Sequence, residues 1–158
     1  MIMNKYKVLI VDDIPENIQN LGEMIKDFDL DVKIAEGGQE AIDIIDSYTP
    51  DIILLDLMMP EVNGWDVIQH IRAKYDKNEM IIIITSLLNN KDNIDECYEM
   101  GVNDYVTKPI IPARIRSSVE SHMKNIRNEE NVPRAEHHQL KKAQPASLIE
   151  MDPAKYIG

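Results

Sequence analysis

Short apolar runs alternate with amphipathic stretches through the first 124 residues. The runs are Lys7–Val11 (KVLIV), Asp31–Ala35 (DVKIA), Asp51–Leu55 (DIILL), Met80–Thr85 (MIIIIT) and Asp104–Val106 (DYV). Three of them are near-continuous β-branched or Leu runs, the pattern of strands covered on both faces. Between them the apolar spacing is helical. Ile14, Ile18, Leu21, Ile25 and Phe28 mark a first helix, with Pro15 in its first turn and Asp13 or Ile14 near the cap. Ala41, Ile42, Ile45 and Tyr48 mark a second, which stops before Thr49-Pro50. Trp65, Ile68, Ile71 and Tyr75 mark a third. Ile94, Cys97 and Tyr98 mark a fourth, closed by Gly101. Ile111, Ile115, Val119, His122 and Ile126 mark a fifth, with Pro112 at its start.

Five strand–helix units joined by short loops predict an α/β domain with a five-stranded parallel sheet and helices on both faces. At this length the doubly wound (βα)5 fold of flavodoxin-like type, strand order 2-1-3-4-5, is the expectation. In such sheets ligands sit at the carboxyl ends of the strands. After Lys124 the character changes. Three of the eight prolines, Pro133, Pro145 and Pro153, fall in the last 26 residues. The reading is a domain over 1–124 and a tail or linker over 125–158, too short for its own core but able to hold a short helix around Ala135–Ala143.

Charge sharpens this division. The net charge is −11 over 158 residues. Residues 1–124 hold 12 Lys/Arg and 23 Asp/Glu, while 125–158 hold five of each, so the acidity belongs to the first part. That balance argues against direct nucleic-acid binding. One cysteine excludes an internal disulfide framework and a cysteine-rich zinc site. No apolar stretch approaches a membrane span, and MIMNKYKVLIVDD lacks the long apolar core of a signal peptide. A cytoplasmic location is expected.

The candidate chemistry sits where each apolar run ends. The first run ends in Asp12-Asp13, the third in Asp56, the fourth in Thr85-Ser86, and the fifth is followed by Lys108-Pro109. A parallel fold brings these groups to one edge. Three carboxylates held together raise one another's pKa unless a cation relieves the repulsion. Carboxylates with no His or Cys among them suit Mg²⁺ rather than zinc. With a lysine and a hydroxyl nearby, they are the parts for phosphoryl transfer to a carboxylate. Each residue also has a local reading. Asp12 and Asp13 serve as helix caps, Asp56 as a turn residue, Thr85 as a strand end and Tyr105 as strand packing.

VLIVDD at 8–13, DIILLDLMMPEVNG at 51–64, ITS at 84–86 and GVNDYVTKP at 101–109 together resemble the receiver domain of bacterial two-component response regulators. The resemblance covers about residues 5–124, in order and spacing. It implies that Asp56 is the phosphoacceptor. Asp13 would bind Mg²⁺ directly, Asp12 directly or through water, and Asp56 and the Met58 carbonyl would complete the protein ligands. Lys108 would pair with phosphoryl oxygens and Thr85 would hydrogen-bond one of them. Tyr105 would be the aromatic switch, and Lys108–Pro109 would be a cis peptide. The implied partner is a sensor histidine kinase or histidine phosphotransfer protein. A homodimer or output partner would use the face of the fourth helix, fifth strand and fifth helix. The implied chemistry is confined to Mg²⁺-dependent self-phosphorylation from a phosphodonor and self-dephosphorylation.

Departures from the family pattern are Ser86, where alanine is commoner, and Met100 and Val102, expected to reshape the surface beside the fifth strand. Met58 and Leu87 are apolar where they border the phosphoryl position. A phosphatase of haloacid-dehalogenase type needs an acid two residues after its nucleophile, and Met58 stands there. A flavodoxin proper needs a Ser/Thr/Gly-rich phosphate loop, which DDIPEN is not. His137-His138 lie in a tail that cannot build a phosphotransfer bundle. The remaining alternatives are a receiver fold that binds partners without phosphorylation, and the front receiver of a longer regulator or hybrid kinase. The start VDDIPENIQ resembles receivers joined to kinase, cyclase or phosphodiesterase modules.

Overall fold

Five parallel strands form the centre of the molecule: β1 (Tyr6–Val11), β2 (Leu30–Ala35), β3 (Ile52–Leu55), β4 (Ile81–Ser86) and β5 (Asp104–Thr107). The structure is a computed structural model that describes residues 5–130. The chain divides at Met123, and beyond it only the helical residues through Glu130 are described. The short helix expected around Ala135–Ala143, and His137-His138, lie outside the described residues.

The strand order is β2-β1-β3-β4-β5, with β1 in register with both β2 (Val8 opposite Val32) and β3 (Val8 opposite Ile52). This is the doubly wound order 2-1-3-4-5. β3 and β4 are buried along their whole length, which is why they read as unbroken apolar runs. β2 is one of the two outer strands and is largely exposed.

The crossovers are α1 (Pro15–Met24), α2 (Gly38–Tyr48), α3 (Gly64–Arg72), α4 (Lys91–Glu99) and α5 (Pro112–Glu130). Leu9, Val11, Ile53, Leu55, Ile82, Ile84 and Tyr105 form one core with Ala41, Ile45, Val67, Ile68, Ile71 and Cys97 of α2, α3 and α4. Strand alternation sends Val8, Ile10, Ile52, Leu54, Ile81 and Ile83, all buried, to the other face. α1 and α5 supply Ile18, Leu21, Ile115 and Val119 to the remaining buried set.

Helix ends depart from the apolar spacing. Ile14 is the N-cap of α1 and is half exposed, and Ile111 precedes α5 and is exposed. Tyr75 lies beyond α3, which ends at Arg72. The Arg72 guanidinium takes the carbonyls of Tyr75, Asp76 and Met80, at 3.2, 3.0 and 2.8 Å, which turns the chain away from the helix axis. Asn63 and Asp66 form a reciprocal capping box at the start of α3. Gly101 closes α4 at φ 101°, a conformation glycine adopts at little cost. Val102, expected to help reshape the surface beside the fifth strand, is fully buried in the core, and Met100 is partly buried against that core. Among the described residues no helix is long and apolar enough to cross a membrane.

Candidate functional site

Sheet hydrogen bonds carry the polar residues to one edge. The Asp12 amide continues the ladder to the Ala35 carbonyl (3.2 Å), and the Asp56 amide continues it to the Val11 carbonyl (3.0 Å). The Lys108 amide donates to the Ser86 carbonyl (2.8 Å), one step past the end of β5. The Lys108–Pro109 peptide is cis. Carboxylate oxygens of Asp12, Asp13 and Asp56 lie within 4.8 Å of one another. Asp12 and Asp56 are buried and Asp13 is partly exposed, so the cluster opens to solvent on one side.

Lys108 lies between the two buried carboxylates. Its Nζ is 2.8 Å from Asp12 Oδ2 and 3.6 Å from Asp56 Oδ1. Burial pushes the Asp56 carboxyl up to about 6. Lys108 pulls it down, Asp12 pushes it up, the Met58 amide at 3.4 Å pulls it down and Asp13 pushes it up. Asp56 is therefore mostly ionised at neutral pH, yet more basic than an ordinary aspartate.

The loop after β3 is shaped by close backbone contact. The Gly64 amide donates to the Leu57 carbonyl (2.9 Å), and a Cβ on Gly64 would stand 2.5 Å from the Asp56 carbonyl oxygen. Only glycine lets α3 start this close to the Asp56–Leu57 backbone. Thr85, at the end of β4, is fully buried, and its Oγ1 has no hydrogen-bond partner. A buried hydroxyl without a partner is costly. Ser86 is different, because its Oγ accepts from the Leu88 amide (3.1 Å) and holds the β4–α4 loop.

Tyr105, level with Ile84 on β4, is buried, and its hydroxyl donates to the Leu88 carbonyl at 2.6 Å. Asp104 beside it accepts from Arg114 (2.9 and 3.1 Å), the Ser118 hydroxyl and the Tyr105 amide. Burial pushes the Asp104 carboxyl up, but these donors outweigh it and hold it below the usual range. Met58 and Leu87 are exposed beside the cluster.

The structure thus gathers Asp12, Asp13, Asp56 and Lys108 directly, and sets Thr85 and Tyr105 behind them on β4 and β5. The sequence reading missed Asn17, whose Nδ2 lies 3.3 and 3.2 Å from the two Asp12 carboxylate oxygens. The only signal was an amide side chain in the first turn of the helix that follows Asp12-Asp13.

Known proteins show the family to which the chain belongs. The response regulator receiver domain family matches residues 8–120. A relative named "Probable transcriptional regulator ycf27" from Guillardia theta is 37% identical over 120 residues, 74% of this chain and 45% of its own length. Another, named "Probable cyclic di-GMP phosphodiesterase" from Vibrio cholerae, is 30% identical over 128 residues, 81% of this chain and 29% of its own. The chain spans less than half the length of these two relatives. The solved receiver domain of AraT, a response regulator from Geobacillus stearothermophilus, is 28% identical, with a TM-score of 0.72 over 80% of this chain and 99% of that one. By sequence, fold and the acidic edge of its sheet, the chain belongs to the response regulator receiver domain family of two-component signalling.

Proposed function

We propose that the chain is a phosphorylation-dependent switch that accepts a phosphoryl group on Asp56 from a sensor histidine kinase or a histidine phosphotransfer protein. The observation that carries this reading is the convergence of three carboxylates on Lys108, with the unpartnered Thr85 hydroxyl on the adjoining strand.

The donor set fits Mg²⁺, because every side chain in it offers oxygen and the cluster is open on the Asp13 side. Asp12, Asp13, Asp56 and the Met58 carbonyl would hold the ion, which when bound neutralises charge on the carboxylates and the incoming phosphoryl group. Asp56 makes the new bond. One of its oxygens bonds to phosphorus, the N–P bond of a phosphohistidine breaks, and the imidazole keeps the electron pair. Raised basicity at an ionised carboxylate favours this role. Lys108 pairs with phosphoryl oxygens and the Thr85 hydroxyl donates to one. Tyr105 links that event to the face of α4, β5 and α5, where an output partner or a second copy binds. Residues 1–124 act as the receiver in the cytoplasm, and 125–158 as a tail or linker.

The test is direct. With Mg²⁺ and acetyl phosphate, intact-mass measurement should show one added phosphoryl group, absent in Asp56→Asn and absent in EDTA. Labelling that persists in Asp56→Asn would place the acceptor elsewhere and sink this reading.

A further inference from the structure

Asp12 is fully buried, and three groups donate to its carboxylate. The Ile14 amide reaches Oδ1 at 2.9 Å and Lys108 Nζ reaches Oδ2 at 2.8 Å. Asn17 Nδ2 bridges both oxygens at 3.3 and 3.2 Å. Under the function proposed above, on which this inference rests, Lys108 turns from Asp12 to a phosphoryl group on Asp56. Asp12 then loses the lysine that helps orient it, at the step when its orientation matters most.

We infer that Asn17 is a positioning residue that holds Asp12 in its cation-binding orientation, both while Lys108 is bound to it and once Lys108 has left. Three features suit it to this. Its own amide donates to the Ile14 carbonyl (3.0 Å) in the first turn of α1, so the side chain starts from a fixed point above the carboxylate. It contacts both oxygens, which resists rotation of the carboxylate plane. It is also neutral, so it orients Asp12 without cancelling the negative charge that attracts a cation, as lysine or arginine would. The residue is not there to cap its helix: the N-cap of α1 is Ile14, with no side-chain cap bond. Asparagine is otherwise a mediocre helix former. Groups that orient metal-binding side chains commonly affect affinity by about tenfold or more.

The full chain should be titrated with Mg²⁺ alone, by calorimetry or NMR, as wild type, Asn17→Leu and Asn17→Ala. Both variants should bind Mg²⁺ about tenfold more weakly. Their phosphorylation by acetyl phosphate should be slow at limiting Mg²⁺ and return close to the wild-type rate at saturating Mg²⁺. Thermal unfolding in EDTA, which a merely structural role would move, should stay close to wild type. Affinities within twofold of wild type in both variants overturn the inference, as does a rate deficit that saturating Mg²⁺ does not repair. Failure of the wild type itself to bind Mg²⁺ overturns the proposed function, and this inference with it.

Discussion

Asp56 illustrates how a single side chain carries opposed demands. To be a phosphoryl acceptor it must be ionised, reachable and basic. To sit at the end of a buried strand it must give up most of its water. The structure resolves this by leaving the carboxyl raised to about 6, with burial the main cause. A raised carboxyl means that the folded chain holds the proton more tightly than the unfolded chain. Ionising Asp56 therefore works against folding. The cost reaches about 3 kcal/mol at 1.36 kcal/mol per pKa unit; it is complete above about pH 6 and vanishes below about pH 4. Asp56→Asn removes that charge. In EDTA at pH 8 the variant should be more stable than wild type to urea by up to about this amount, and at pH 4 the two should coincide. Equal stability at pH 8 would mean that Asp56 is better solvated than its 4% exposure suggests.

At the level of elements, the end of the sheet opposite the acidic edge is organised by Arg72. Besides the three carbonyls that end α3, its guanidinium donates to the Gly101 carbonyl (2.8 Å) and to Asn103 Oδ1 (2.9 Å). Asn103 Oδ1 also accepts from the Ile82 amide (2.9 Å), so one side chain ties α3, the start of β4 and the α4–β5 loop together. Burial lowers the Arg72 pKa to about 10, with Asp76 and Glu79 pushing it back up, so it stays charged. Arg72→Met should cost about 3 kcal/mol, because several backbone carbonyls lose a charged donor at once. Arg72→Lys should recover only part of this, since an ammonium lacks the planar fork that reaches several acceptors. Urea unfolding of both variants measures it, and a loss below about 1 kcal/mol in Arg72→Met would show that water replaces the guanidinium. Arg72 also shows why helix ends were less legible than helix faces. Apolar spacing located Ile68 and Ile71 in α3 but carried the pattern on to Tyr75, because a side chain bonding to carbonyls several residues ahead leaves no periodic trace. Ile14 and Ile111 failed in the same way. They match the spacing of the helices they precede, yet sit outside the buried face.

For the whole molecule, β1, β3 and β4 were legible because buried parallel strands are nearly pure apolar runs, and the strand order because five short βα units suit the doubly wound sheet. The gathering of Asp12, Asp13, Asp56 and Lys108 was legible because Asp12-Asp13 and Asp56 directly follow such runs and Lys108 comes just after the short fifth one. Asn17 and Gly64 were not, since their part depends on a loop doubling back to touch a particular carboxylate or peptide. Under the proposed function, coupling of that edge to the outer face would run through Tyr105, whose hydroxyl bonds the Leu88 carbonyl of the β4–α4 loop. If the Thr85 hydroxyl moves to a phosphoryl group, the β4–α4 loop moves with it, and the bond to Leu88 favours the arrangement with the ring buried. Such a bond is worth about 1 kcal/mol net, a factor of roughly five in the balance of two states. Tyr105→Phe removes it while leaving Asp56, Lys108 and the carboxylates untouched. Phosphorylation by acetyl phosphate should proceed at close to the wild-type rate. The response of Tyr98 and Arg114 on the outer face to beryllofluoride with Mg²⁺, read as NMR shift changes, should be smaller in the variant. A full-sized response in Tyr105→Phe would show that the hydroxyl is packing detail and that the outer face is driven by Thr85 and its loop alone.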